Sequence, residues 1–168
     1  MTYSKGKFFS LLVRPGDNEV KISMQLFSPY INTKEIPDTY NLLAKHLPSV
    51  LKNECFNDNN YRFEEEVRQT EIGHLFEHLI LEYLCQAKIN CGSRNASFSG
   101  RTSWDTETII KGIFNINIKI NHRDLILIDK AIIKASALLD IIFASNLHQA
   151  TDSGYTIRSQ KTYFKDFI

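Results

Sequence analysis

Several features of secreted and membrane proteins are missing from this sequence of 168 residues. Its three cysteines are odd in number and form no Cys-x-x-Cys pair, which favours reduced thiols in a cytosolic protein. No apolar run approaches the roughly 18 residues that a membrane helix needs. The N-terminus also lacks the apolar core and cleavage site of a signal peptide. We therefore expect a cytoplasmic protein with no membrane partner.

An excess of one charge is missing as well. The chain has 20 basic and 19 acidic residues, a net charge of +1, which gives no reason to expect a nucleic-acid partner. It has no Gly-rich phosphate loop, no internal repeat and no low-complexity segment. A hydrophobic content of 43% with 11 Phe residues is enough for a core. The length predicts one domain over residues 1–150, followed by a polar tail over residues 151–168.

Hydrophobic periodicity predicts alternating strands and amphipathic helices. The predicted strands are residues 8–14 and 19–27, joined as a hairpin, and residues 106–120. The first predicted helix is residues 39–46, capped by Asp38. The second begins near Tyr61 or Phe63 and continues through residue 85, with a break and a new cap at Thr70 as an alternative. The third is residues 122–147, capped by Asn121. Residues 93–100 suggest a short strand and turn, and residues 100–103 a loop. This order predicts a two-layer α+β domain, with a mostly antiparallel sheet and two long helices packed on one face.

The second of these helices carries the candidate site. It contains His74-Leu-Phe-Glu77-His78, and Glu82 follows four residues later. At about 100° per residue, His78 lies about 40° and Glu82 about 80° from His74, while apolar residues fill the opposite arc. Two histidines one turn apart can bind one Zn²⁺, and a carboxylate is a normal third ligand. We therefore predict a zinc site with His74, His78 and Glu82 as ligands.

The remaining carboxylate, Glu77, lies near 300° around the helix from His74, beside the face that carries the two histidines. A carboxylate there can take the proton of the attacking water, and the order His-x-x-Glu-His is typical of inverzincins. His122 or one of residues 64–66 could replace Glu82, whereas Cys85 is too far along the helix. Mn²⁺, Fe²⁺ and Ni²⁺ also use such ligand sets. Polar residues opposite an apolar arc are equally typical of any surface helix, so a purely structural interpretation stays open.

Three segments, in order, resemble the N-terminal domain of cyanophycin synthetase. They are His46-Leu-Pro-Ser-Val with Cys55 shortly after, the Gly-His-x-x-Glu-His-x-x-Leu-Glu pattern that begins at Gly73, and Gly100-Arg-Thr followed by Lys111-Gly-Ile-Phe-Asn. The resemblance covers about residues 42–144. It implies a domain that holds an aspartate-arginine polymer and, in some family members, a metal-dependent hydrolytic site.

The resemblance implies that Arg101 binds a substrate carboxylate or stabilises the oxyanion, beside Glu77 as the second catalytic residue. The family pattern is Gly-Arg-Thr-Arg, and Ser103 replaces its last cation here. The ATP-grasp and Mur-ligase-like domains of the synthetase have no counterpart in this sequence, so we expect no ATP-dependent ligation.

The expected function is zinc-dependent hydrolysis of amide bonds in a cyanophycin-like polymer or a related peptide. One alternative is a non-catalytic polymer-binding or synthetase-associated module. Another is an adaptor that docks through residues 155–168. The apolar helix face over residues 125–143 is rich enough to support a homo-oligomer.

Overall fold

The computed structural model describes residues 1–55, 62–104 and 112–152. Its strands and helices are β1 (Thr2–Lys5), β2 (Phe9–Pro15), β3 (Glu19–Leu26), α1 (Thr39–His46), α2 (Phe63–Glu66), α3 (Ile72–Asn90), β4 (Ser99–Trp104), β5 (Ile113–Lys119) and α4 (Ile128–Asp152). Short 3₁₀ turns occupy Thr33–Glu35, Pro48–Lys52 and His122–Leu127. None of the helices in these described ranges is long and apolar enough to cross a bilayer.

The five strands form one sheet in the order β1-β2-β3-β5-β4, and each neighbouring pair is antiparallel. Alternate residues of β3 and β5 are buried, because successive side chains of a strand point to opposite faces. Helix α3 contacts β4 and β5 and packs along α4. The sequence prediction of an α+β domain with two long helices is therefore confirmed.

Several predicted boundaries are confirmed and others need correction. Helix α1 and the hairpin of β2 and β3 lie where the periodicity placed them. The side chain of Asn121 caps the turn after β5, as predicted, but that turn is 3₁₀ and α4 begins only at Ile128. Asp38 is at an N-cap position, but its backbone is helical rather than extended and its side chain makes no capping hydrogen bond. Its carboxylate accepts from the Asn41 side chain instead.

The predicted helix over residues 61–85 is interrupted. Helix α2 ends at Glu66 and α3 begins at Ile72 and continues to Asn90, so the alternative of a break near Thr70 is correct. The N-cap residue is Glu71 rather than Thr70, and its side chain makes no capping hydrogen bond. The hydroxyl of Thr70 binds His74 instead.

Two strand assignments were missed at the edges of the sheet. Residues 100–103, predicted to form a loop, belong to β4 and pair with β5. Strand β1 is exposed along its whole length, so it carries no hydrophobic pattern. The strand predicted over residues 106–120 is observed over Ile113–Lys119, and residues 106–111 lie outside the described part. The first residues of the predicted tail belong to α4, which continues to Asp152. Residues 153–168, the rest of that tail, lie outside the described part of the chain.

Gly73 explains how closely α3 approaches the sheet. A Cβ atom at this position would lie 2.4 Å from Cγ of Phe114, a fully buried residue of β5. The glycine before His74 therefore allows close packing of α3 on β5.

Candidate metal centre

Three side chains converge on one point between α3 and the segment before α2. The Nε2 atoms of His74 and His78 are 3.2 Å apart, and Sγ of Cys55 is 3.3 Å from Nε2 of His74. All three ligand atoms lie within 4.8 Å of one another. Two nitrogens bound to one tetrahedral zinc at about 2.0–2.1 Å are about 3.3 Å apart. The spacing of the two nitrogens therefore fits a single metal ion, and Cys55 completes a group that could hold one.

Cys55 reaches this point through the backbone around it. The 3₁₀ turn Pro48–Lys52 ends just before it, and the carbonyl of Asn53 accepts a hydrogen bond from the Phe63 amide at 3.2 Å. An isolated bridge between Glu54 and Arg62 ties the same two segments together. Cys55 is consequently buried against the first turns of α3.

The imidazoles are oriented by residues outside α3. The Thr70 hydroxyl is 2.8 Å from Nδ1 of His74, which leaves Nε2 directed at the centre. The Thr70 amide in turn donates to the Thr33 hydroxyl at 2.9 Å, and the Thr33 amide donates to the Thr70 carbonyl at 2.8 Å. Phe63 stacks on the ring of His78, with centroids 3.8 Å apart. Such supporting contacts fix ligand orientation in metal sites.

Burial sets the protonation of these ligands. Burial and the nearby His74 imidazole lower the pKa of His78 to about 3, and burial lowers the pKa of His74. Burial, with the carboxylates of Glu66 and Glu77, raises the pKa of Cys55 to about 11. Both imidazoles are therefore neutral at pH 7, the form that binds metal, while the thiol keeps its proton until a metal displaces it.

These pKa shifts predict that the metal-free protein loses stability in acid. Between the ordinary histidine pKa of 6.5 and the value of about 3 for His78, the unfolded chain binds a proton that the folded chain does not. The free energy of unfolding should therefore fall by about 1.4 kcal/mol per pH unit below pH 6.5 for this one group.

Urea unfolding of chelated protein at pH 7, 5.5 and 4 measures this slope. In His78→Phe, which retains an aromatic ring beside Phe63, the slope should be shallower by about 1 kcal/mol per pH unit. An unchanged slope would mean that His78 titrates normally in the folded protein.

Glu77 lies beneath β4 rather than among the three ligands. It is buried, and Oε2 accepts a hydrogen bond from the Thr102 hydroxyl at 2.5 Å. A Cβ atom at Gly100 would lie 2.8 Å from Oε1, so only glycine leaves room for this carboxylate. Burial raises the pKa of Glu77, and the Thr102 hydrogen bond opposes that shift.

A cavity of about 480 Å³ joins these groups. Its lining includes Cys55, His74 and His78 from the centre, together with Glu77 and with Arg101 from β4. Arg101 is exposed and lies at the rim. The structure thus brings four of the five predicted site residues to one cavity.

Glu82, the predicted third ligand, is not brought to this centre. Its Oε1 accepts hydrogen bonds from Ser49 at 2.6 Å and from Gln86 at 3.1 Å. Four residues along an α-helix add about 6 Å, so Glu82 lies well beyond His78 along α3. Cys55 is the third member of the candidate ligand group, and among the described residues no carboxylate belongs to that group.

The alternative ligands also lie elsewhere. The Cys85 thiol donates to the Ala96 carbonyl, and His122 is exposed in the turn before α4. Glu64 accepts a hydrogen bond from the Tyr40 hydroxyl, whereas Glu66 lines the cavity without joining the ligand group.

Sequence reasoning did not assign roles to Cys55 and Thr102. Cys55 precedes His74 by 19 residues, with no spacing rule to connect them, although it stands in the first segment that resembles the synthetase domain. Thr102 was assigned to a loop, so its inward orientation on β4 was not expected.

The fold and this centre define an α+β domain with a candidate Cys/His/His metal site. Residues 20–125 match the family described as the cyanophycin synthase-like N-terminal domain. The match covers more than half of the chain and includes all the residues of the centre, so the chain belongs to this family. No match to a curated protein was found.

Proposed function

We propose that this domain is a metal-dependent hydrolase of amide bonds in a cyanophycin-like aspartate-arginine polymer or a related peptide. The observation that carries the proposal is the placement of the three ligand atoms, within 4.8 Å of one another, in the same cavity as the buried carboxylate of Glu77. Membership of the cyanophycin synthase-like family supports the choice of substrate class.

The residues at the centre suit zinc. Cys55, His74 and His78 would hold the ion, and a mixed thiolate and imidazole set favours zinc over magnesium or manganese. When bound, zinc polarises a carbonyl and lowers the pKa of a coordinated water. Three protein ligands leave one tetrahedral position open, as catalytic rather than structural zinc sites do.

The chain's own residues would move the proton. Glu77 would accept a proton from the attacking water and pass it to the leaving amine, with the Thr102 hydroxyl holding Oε2 in place. Arg101, at the rim, would bind a carboxylate of the substrate. Charges inside a partly enclosed cavity interact more strongly than they would in bulk water, because the effective dielectric constant is lower there.

Metal analysis of purified protein tests the proposed centre. We expect about one equivalent of zinc in the wild type, and loss of most of it in Cys55→Ala and in His74→Ala. Glu82→Gln is the matched control, because its carboxylate lies outside the ligand group and metal content should not change. Circular dichroism should show all four proteins folded.

Two results would contradict the assignment. Zinc retained in Cys55→Ala but lost in Glu82→Gln would restore Glu82 as the third ligand. No metal in any folded protein, even after incubation with Zn²⁺, would contradict the hydrolase proposal and leave a non-catalytic polymer-binding module.

The division of the chain into a domain over residues 1–150 and a tail over residues 151–168 stays a prediction. Assembly into a homo-oligomer also stays a prediction.

A further inference from the structure

The sheet ends at β4, next to the candidate centre. Among the described residues, β4 pairs with β5 on one side and with no strand on the other. An edge strand presents main-chain N–H and C=O groups to a further strand. Which residues present them follows from the register of β5.

Main-chain hydrogen bonds at both ends of β5 settle that register. The Leu26 amide donates to Gly112, and the Ile120 amide donates to Asn18, so even-numbered residues of β5 bond to β3. Odd-numbered residues of β5 therefore bond to β4, because the two sides alternate in an antiparallel sheet. Their partners are Ser99, Arg101 and Ser103. The main-chain groups of Gly100 and Thr102 consequently face the free edge.

This free edge borders the cavity. Gly100 and Thr102 line it together with both histidines and Glu77. Gly100 has no side chain to cover its main chain, and the Thr102 hydroxyl is bonded to Glu77. The edge therefore offers hydrogen-bonding groups directly beside the residues that would carry out hydrolysis.

The charges around the cavity favour basic side chains on whatever binds there. Among the residues that the structure describes, four carboxylates line it against one cation, Arg101; the acidic residues are Glu54, Glu66, Glu71 and Glu77. A guanidinium or ammonium group near such a rim is attracted, while a carboxylate is repelled by all but Arg101.

We infer that an extended peptide with basic side chains binds as a sixth strand along β4, with its main chain bonded to Gly100 and Thr102. The inference rests on the proposed function in treating this peptide as the substrate. This mode of binding requires a peptide whose residues are joined through their main-chain amides. Residues joined only through their side chains could not continue the hydrogen-bond pattern of the sheet.

Peptide binding can be measured without any hydrolysis. The protein is treated with a chelator, and a capped hexapeptide of alternating Ala and Arg is titrated by calorimetry. Each peptide amide is then N-methylated in turn. Binding should weaken about tenfold when the methyl group falls on every second residue and little at the residues between. The two-residue repeat keeps this alternation even if the peptide shifts along the edge.

Amide hydrogen exchange supplies a second measurement on the protein itself. With peptide, exchange at Gly100 and Thr102 should slow at least tenfold, while Arg101 and Ser103, already bonded to β5, should change little. The Ala-Glu hexapeptide of the same length should bind at least tenfold more weakly than the Ala-Arg peptide.

Several outcomes would overturn the inference: no binding of the Ala-Arg peptide, N-methylation effects without alternation, or unchanged exchange at Gly100 and Thr102 in the complex. Equal affinity for the acidic peptide would overturn its charge preference. Because chelated protein is used, these results are independent of the metal analysis, which tests the proposed function.

Discussion

Glu77→Gln is expected to lower the rate of cyanophycin hydrolysis by about 10²–10⁴-fold, the usual contribution of a general base. Glutamine retains nearly the same shape and can still bond to the Thr102 hydroxyl, but it cannot accept the proton of the attacking water. Metal content should stay at the wild-type level, because Glu77 is outside the ligand group. The measurement is release of soluble peptide from the polymer by metal-loaded protein.

Glu82→Gln is again the matched control, since it makes the same chemical change on the same helix. Its carboxylate bonds to Ser49 and Gln86 away from the centre, so hydrolysis should change by less than about threefold. Full activity in Glu77→Gln would remove Glu77 as the base. Equal losses in both variants would point to a general effect on α3.

Gly73→Ala is expected to destabilise the fold by about 2 kcal/mol or more. The added Cβ would lie 2.4–2.7 Å from three atoms of the Phe114 side chain, and both residues are buried. Overpacking of a core costs about 1–3 kcal/mol and occasionally more, and three contacts this short place Gly73→Ala at or above the upper end of that range. This cost exceeds the gain of about 1 kcal/mol in helix propensity by about 2 kcal/mol or more. Chemical unfolding of the metal-free protein measures the difference.

A smaller side chain on β5 should relieve this clash. In Gly73→Ala/Phe114→Ala, which removes Cγ and Cδ1, the two Phe114 atoms nearest the added Cβ, the loss should be smaller than the sum of the two single losses by at least about 1 kcal/mol. Additive losses would show that the added methyl group does not press on Phe114, and a stable Gly73→Ala would show that α3 moves from the sheet at little cost. Because His74 is the next residue, such a movement should also weaken zinc binding.

Local patterns predicted much of this fold. The alternation in β3 and β5 and the helical spacing of α1 and α4 come from burying one face of each element, so they are visible in the sequence. Strand β1 is wholly exposed, and β4 is short, polar and glycine-containing, so neither carries a periodic signal. Their assignment depends on pairing with residues far along the chain.

The same distinction separates the predicted from the unpredicted parts of the centre. His74, Glu77 and His78 lie within five residues of one helix, and local spacing was enough to group them. Angular position alone also favoured Glu82 as a third ligand. A projection down the helix axis does not show that Glu82 lies about 6 Å further along the helix than His78. Cys55 enters through a tertiary contact, which no local period can show.

The chain of hydrogen bonds from Thr33 through Thr70 to His74 has a consequence for protein engineering. A helix graft that moves α3 alone to another scaffold would keep the spacing of its two histidines. It would leave behind Thr33, Thr70 and Phe63, which hold the rings in place. The transferable unit is therefore α3 together with α2 and the turn between them, the connector after β3 and the segment that carries Cys55, and a minimal version of this domain has to include all four.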